Sequence, residues 1–188
     1  MKNTFTEAIE ASPVIGAVKN PEGLKKCLAS EVGVVFVLYG DLCSIGGIVD
    51  EIRRAGKKAV VHMDLISGLS AKEAAVDFIR HYTKADGIIT TKSALIKRAK
   101  ELELGTVQRF FVIDSMAYEN IPRQLASARP DVIEVLPGLM PKVIRNLTQT
   151  VPVPVVAGGL ITDKEDVLTM LGAGAAAISS TKEETWFL

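Results

Sequence analysis

The chain has 188 residues, 48% hydrophobic but only 5% aromatic, which suits one domain with a core of small aliphatic side chains. Its 22 basic and 22 acidic side chains cancel, which excludes a global field drawing the protein onto nucleic acid or an anionic membrane and confines any polyanion site to a local patch. No apolar run approaches the roughly 20 residues of a bilayer span, and the polar first ten residues lack the apolar centre of a signal peptide. Two histidines and two well-separated cysteines exclude multi-imidazole metal sites and a redox pair, so the expectation is a cytoplasmic protein with reduced thiols, no metal and no cofactor.

From Pro13 onward, short β-rich runs alternate with helical patterns at intervals of roughly 20 to 28 residues. The first run, 14–18, precedes Asn20-Pro21, which opens a helix striped by Leu24, Cys27 and Leu28. The second, 34–39, precedes a stripe of Ile45, Ile48, Val49 and Ile52 that ends at Gly56. After the third, 59–63, Ser70 and Glu73 form a predicted capping box ahead of Ala75, Phe78, Ile79 and Tyr82. The fourth, 87–90, leads into Leu95, Ala99 and Leu102, with Gly105 read as following the helix end. The remaining runs are 107–113, 132–136, 153–157 and 175–179; between the last two, Thr162 and Glu165 read as a capping box and Gly172 as a helix stop.

Eight near-continuous apolar runs fit parallel strands covered on both faces. Their regular spacing predicts α/β class and one compact (β/α)8 TIM-type barrel over residues 1–188, short for a fold whose lower limit is about 200 residues. An open doubly wound sheet would carry a glycine-rich phosphate loop after its first strand, and Val18-Lys19-Asn20-Pro21 has no glycine there.

The last two units hold the most informative motifs. Ala157-Gly158-Gly159-Leu160-Ile161-Thr162 leaves backbone N–H groups free of side-chain bulk, and Ala175-Ala176-Ala177-Ile178-Ser179-Ser180-Thr181 adds hydroxyl donors one unit later. Parallel barrels bind phosphate between the loops after strands 7 and 8 and a short extra helix, so Gly158, Gly159, Ser179 and Ser180 are read as a phosphate cradle. Thr181-Lys182-Glu183-Glu184 fits a capping box that starts that helix at Thr181. The plainer alternative is a simple turn followed by a frayed tail.

Polar residues at the predicted C-terminal strand ends supply the rest of the candidate mouth: Lys19, Asp41, His62, Asp64, Lys92, Asp114 and Glu134. Lys19 and Lys92 could offset phosphate charge while Asp64 and Glu134 accept hydrogen bonds from hydroxyls, a set that suits a small phosphorylated polyol. Asp41, Asp114 and Lys92 also read as helix caps, and His62 as a satisfied core histidine. Glu134 interrupts Val132-Ile133-Glu134-Val135-Leu136 and needs a partner if buried. Gln108 and Arg109 pose the same problem; both are read as structural, with an arginine–glutamate pair across the barrel. An enzyme on this scaffold, such as a sugar-phosphate isomerase or aldolase using Lys92 and Glu134 as nucleophile or base, is the competing class.

Taken together, Val61-His62-Met63-Asp64-Leu65-Ile66-Ser67-Gly68, Gly87-Ile88-Ile89-Thr90-Thr91-Lys92-Ser93, Gln108-Arg109-Phe110-Phe111, Ile133-Glu134-Val135-Leu136-Pro137-Gly138 and Ala157-Gly158-Gly159 resemble the glycerol uptake operon antiterminator family. The likeness runs from Pro13-Val14-Ile15-Gly16-Ala17-Val18-Lys19 to Trp186. It implies a non-enzymatic regulator that senses glycerol-3-phosphate and, when loaded, binds a leader messenger RNA so that transcription passes a terminator. The family often carries Arg where this chain has Lys19 and Lys92, which turns a bidentate phosphate grip into a point charge.

The expected mechanism has glycerol-3-phosphate bridge Gly158, Gly159, Ser179 and Ser180 to Asp64, Lys92 and Glu134, ordering the loops 64–70 and 114–119 into an RNA or homo-oligomer surface. RNA binding rests on the resemblance, since no RNA module or aromatic stacking motif is visible. Two basic clusters are the candidate RNA contacts: Arg53, Arg54, Lys57 and Lys58, and, beside Lys92, Lys97, Arg98 and Lys100. Each alone reads as a solvated helix face.

Overall fold

Successive residues of a strand point to opposite faces, so an uninterrupted apolar run needs cover on both sides. In the computed structural model, which describes residues 4–188, the eight runs meet that need by closing on themselves. The strands β1 (Val14–Val18), β2 (Val34–Val37), β3 (Lys58–His62), β4 (Gly87–Thr90), β5 (Gly105–Phe111), β6 (Val132–Leu136), β7 (Val155–Gly158) and β8 (Ala177–Ser180) pair in parallel and in chain order, and β8 returns to β1 through Ile15↔Ser179. The predicted (β/α)8 barrel is what forms.

One residue set from all eight strands, including Ile15, Phe36, Val60, Ile89, Val107, Val132, Val156 and Ala177, fills the barrel interior. The alternate set faces the helices: Val35, Val61 and Ile88 on one side of the molecule, Ile133, Ala157 and Ile178 on the other. The surrounding helices are α2 (Pro21–Leu28), α3 (Ile45–Arg54), α4 (Glu73–Tyr82), α5 (Ser93–Glu101), α6 (Ser115–Ala128), α7 (Pro141–Thr150) and α8 (Lys164–Gly172). Gly16 lets α2 lie directly on β1, because a Cβ there would stand 2.3 Å from Cys27 Sγ. Burial pushes that thiol up to about 11, so Cys27 is packing and no nucleophile. No helix of the described residues is long and apolar enough to cross a membrane.

The polar opening segment hid one element, α1 (Thr4–Glu10), whose Phe5 and Ile9 are buried with the interior set and stopper the N-terminal end of the barrel. Its presence redefines Gly105. A Cβ at Gly105 would sit 2.3 Å from the Phe5 ring, so this glycine is a strand residue making room for the stopper, and Glu103 (φ 58°) takes the left-handed turn after α5 instead.

Side-chain caps form at some of the expected helix starts and not at others. Asn20 caps α2 as expected, accepting from the Gly23 amide at 2.7 Å. Ser70 does not cap α4, whose N-cap position is Lys72 with no side-chain bond. The box at α8 starts one residue later than predicted: Asp163 accepts from the Asp166 amide at 2.9 Å, and Asp166 reaches back to the Thr162 amide at 2.9 Å. Gly172 lies inside α8, and the left-handed residue past its end is Gly174 (φ 101°). Strand edges moved by similar amounts, with β7 starting only after Pro154, which has no N–H to give a ladder.

The final segment departs most. Residues Glu183–Phe187 form a 3₁₀ turn headed by Lys182, so the box from Thr181 to Glu184 does not form. The turn is fixed from within: Trp186 is buried and its indole N–H donates to the Ser180 carbonyl at 2.9 Å, while the Thr185 hydroxyl donates to the Lys182 carbonyl at 2.7 Å.

Candidate functional site

A cavity of about 370 Å³ opens at the C-terminal ends of β1, β5, β6, β7 and β8. Its floor is built from inward-facing strand positions. Arg109 follows Val107 by two residues and Glu134 follows Val132 by two, so each shares the inward face of its apolar neighbour, and the two stand opposite each other in the β5–β6 register. Glu134 is fully buried. Its carboxylate accepts from Arg109 Nε on one oxygen and from the Ser179 hydroxyl on the other, both at 2.5 Å. These are the partners that a charge at this position requires.

Gly158 makes that arrangement possible. A Cβ there would lie 2.5 Å from Glu134 Oε1 and 2.7 Å from Ser179 Oγ. Arg109 uses only Nε on Glu134; its terminal amino groups take no hydrogen bond within the described residues, and the side chain lines the cavity. The wall is completed by Gly159 and Leu160, both with left-handed backbone (φ 78° and 64°), and by Ser180, Thr181 and Lys182. The Ser180 hydroxyl is engaged in holding this wall together, donating to the Ile161 carbonyl at 2.8 Å and accepting from the Lys182 amide at 3.0 Å. Lys19 stands exposed on the opposite lip. Lys19, Arg109 and Lys182 against Glu134 leave the cavity net positive, while Ser179 and Glu134 present neutral and acceptor groups at its base.

The structure therefore brings Lys19, Glu134, Gly159, Ser179 and Ser180 together, with Gly158 packed beneath them. It leaves Asp64 and Lys92 outside the lining. They form their own cluster at the ends of β3 and β4, where Asp64 accepts from Lys92 Nζ at 2.7 Å, the Thr91 amide at 2.9 Å and the Thr90 hydroxyl at 3.1 Å. Burial pushes the Asp64 carboxyl up, but the bonds from Lys92, Thr91 and Thr90 outweigh it and hold the group below the usual carboxylate range. Asp114 caps α6 through the Ala117 amide at 2.7 Å, and Asp41 accepts from the Cys43 and Ser44 amides at 2.9 and 2.8 Å.

His62 is not the satisfied core histidine expected. It is buried on the inward face of β3 two residues past Val60, yet neither ring nitrogen has a partner. Burial, reinforced by the Arg109 charge, pulls its pKa down to about 4, so the ring is a neutral imidazole at physiological pH. Gln108 faces the helices, donating to Ser93 Oγ at 3.0 Å and Gln124 Oε1 at 3.1 Å. Arg109 and Lys182 are the cavity residues that sequence reasoning left out. Arg109 was readable from its even spacing to Val107, whereas Lys182 became a wall residue only because the tail folds as a 3₁₀ turn.

The basic clusters fare unevenly. Lys57 is buried, its ammonium donating to the carbonyls of Ser30 and Val32 at 2.7 and 2.8 Å, so it cannot reach an RNA phosphate. Arg53 and Lys58 both pair with Asp86, at 2.6 and 2.9 Å. Arg98 bonds Asp77 and Glu101, each at 2.7 Å, and Lys100 pairs with Asp131 at 2.7 Å. Arg54 keeps only a 3.9 Å contact with Asp50, and Lys97 has no ion pair among the described residues. Most of the positive charge on α3 and α5 is thus neutralised on the spot.

Comparison with known proteins gives this geometry a family. The chain is 42% identical over 180 residues to the Escherichia coli (strain K12) protein YgcP, described as uncharacterized, covering 96% of this chain and 94% of that one. The glycerol uptake operon antiterminator regulatory protein of Listeria monocytogenes superposes with a TM-score of 0.88 at 33% identity, covering 92% of this chain and 94% of that one. A glycerol uptake operon antiterminator-related protein of Thermotoga maritima gives 0.83 at 32%, covering 93% and 98%. The profile of the glycerol-3-phosphate responsive antiterminators matches residues 14–186, and the chain belongs to that family.

Proposed function

We propose that this protein is a glycerol-3-phosphate sensor that binds a leader messenger RNA in the cytoplasm and lets transcription continue through a terminator. The observation that carries the reading is the cavity: three cations and the Gly158-Gly159 turn on its walls suit a phosphomonoester dianion, and Glu134 with Ser179 at its base suits the hydroxyls of a small diol. In this pose the phosphate lies among Lys19, Gly158, Gly159, Ser180 and the free amino groups of Arg109, and Lys182 adds a charge the sequence did not suggest. Asp64 and Lys92 brace the adjoining mouth loop 64–70 instead of touching the effector.

Family membership supports the regulatory class over the enzyme class, and so does the placement of Lys92. A Schiff-base lysine is activated by desolvation or by a neighbouring cation. Lys92 is exposed, salt-bridged to Asp64, and outside the cavity that holds Glu134. Isothermal titration of glycerol-3-phosphate tests the site. Wild-type protein is expected to show saturable binding without turnover, and Gly159→Asp, which sets a carboxylate against the phosphate, to abolish it; undiminished affinity in that variant, or product formation by the wild type, contradicts the proposal.

A further inference from the structure

With α3 and α5 largely neutralised, the unpaired positive charge lies elsewhere. Between Glu134 and Asp163 the chain carries no carboxylate, and within that stretch Lys142 and Arg145 stand exposed on α7 with no ion pair among the described residues. Beside them, the N-terminal ends of α6 and α7 enclose a groove of about 430 Å³ lined by Ile113, Tyr118, Met140 and Val143, with Asp114, Lys142 and Asn146 as its polar members. Ile113 of the lining is 81% exposed, and Phe111 and Met116, close to it in the chain, are 53% and 75% exposed. An aromatic and apolar slot with an amide at its side and cations beside it has the chemistry of a single-stranded RNA site: a base inserts and stacks, and its phosphates meet lysine and arginine.

The groove also shares a wall with the effector cavity. The β6–α7 connection, residues 137–140, turns Met140 into the groove, while Gly138 packs on the other cavity's turn, its amide donating to the Gly159 carbonyl at 3.0 Å. A Cβ at Gly138 would lie 2.9 Å from the Gly158 carbonyl oxygen, so this wall cannot shift without moving Gly158-Gly159, and the reverse.

We infer that the α6–α7 groove, with Phe111, Lys142 and Arg145, is the face that docks single-stranded leader RNA, and that residues 137–140 couple it to the effector cavity. The inference rests on the proposed function, since it locates the RNA partner of that same sensor. Charge complementarity favours RNA over a second copy of the chain, because Lys142 and Arg145 stand without ion pairs among the described residues beside the slot, while its one lining carboxylate, Asp114, is engaged by the Ala117 amide as the cap of α6.

The test is fluorescence anisotropy of a labelled leader transcript from the glycerol-utilisation operon, over a salt series at saturating glycerol-3-phosphate. The variants are K142E/R145E, with R53E/R54E as the comparison; all four are exposed helix positions, and Asp86, which loses Arg53, keeps Lys58 at 2.9 Å. Wild type is expected to bind, K142E/R145E to bind at least tenfold more weakly with a salt slope reduced by about 1.4, and R53E/R54E to change little. Calorimetric glycerol-3-phosphate affinity stays within twofold in both variants.

If the wild type binds RNA but K142E/R145E matches it, the docking face is wrong while the sensor reading stands. If K142E/R145E instead keeps RNA binding and turns a dimer into a monomer in light scattering, the groove is a self-association surface and the inference falls. If the wild type binds no RNA with or without glycerol-3-phosphate, the functional reading itself has failed.

Discussion

At the scale of single residues, the site is governed by one buried carboxylate. A fully buried Glu134 is tolerable only because Arg109 and Ser179 meet it, and Arg109→Met removes the countercharge while keeping much of the side-chain volume. Denaturant unfolding should then show a loss of about 3 to 5 kcal/mol, and pairing Arg109→Met with Glu134→Gln should recover part of it. A double variant no more stable than the single would show that the ion pair is not what fixes the floor.

His62 gives a pH signature. Its folded pKa of about 4 lies below the ordinary 6.5, so between those values the unfolded chain binds a proton that the folded chain excludes. Stability is therefore full above pH 6.5 and falls on acidification toward pH 4, by about 1.4 kcal/mol per unit. Asp64, held below the usual carboxylate range, acts in the same direction only at lower pH, so the window from 7 to 5 isolates the histidine. Unfolding at pH 7 and pH 5 should differ by about 2 kcal/mol in the wild type, and a His62→Phe variant should lose most of that difference. An unchanged pH dependence would contradict the buried neutral imidazole.

At the scale of elements, the alternation of strand and helix was legible because a parallel barrel buries both faces of each strand and leaves long apolar runs that nothing else in a polar chain imitates. Helix caps were less legible. Ser70, Thr162 and Thr181 all have cap-competent hydroxyls, and which residue sits at the N-cap is decided by where tertiary packing starts the turn, as Trp186 does for the last segment. Helix α1 was invisible for the same reason: Thr4–Glu10 is polar apart from Phe5, Ala8 and Ile9, and the burial of Phe5 depends on the opening at the barrel's N-terminal end. Phe5→Ala should cost about 3 to 5 kcal/mol in thermal or chemical unfolding while leaving glycerol-3-phosphate affinity intact, since the stopper and the cavity lie at opposite ends. A weakened affinity would mean that the stopper shapes the site.

At the scale of the whole molecule, residue types singled out Gly159, Ser179 and Ser180, which the fold brings to one cavity, but partners could be assigned only after folding. The sequence offers Arg109 as a structural oddity and Asp64 and Lys92 as mouth residues, whereas the closed barrel puts Arg109 in the cavity and lets Asp64 and Lys92 neutralise each other. Basic clusters mislead in the same way, because a run of lysines and arginines shows its charge while the carboxylates that cancel it, such as Asp86 and Asp131, arrive from other units.

A sensor of this kind works only if the effector binds the RNA-competent form more tightly than the other, since equal affinity for both shifts nothing. The wall shared by the Gly158-Gly159 turn and the α6–α7 groove offers a route for that difference. The most direct test is the anisotropy of the labelled leader transcript titrated with this protein at fixed salt, with and without glycerol-3-phosphate. RNA binding that tightens fivefold or more with the effector, the lower end of typical allosteric coupling of about 1 kcal/mol, is the predicted result. Identical titrations in the two conditions would contradict a ligand-gated antiterminator.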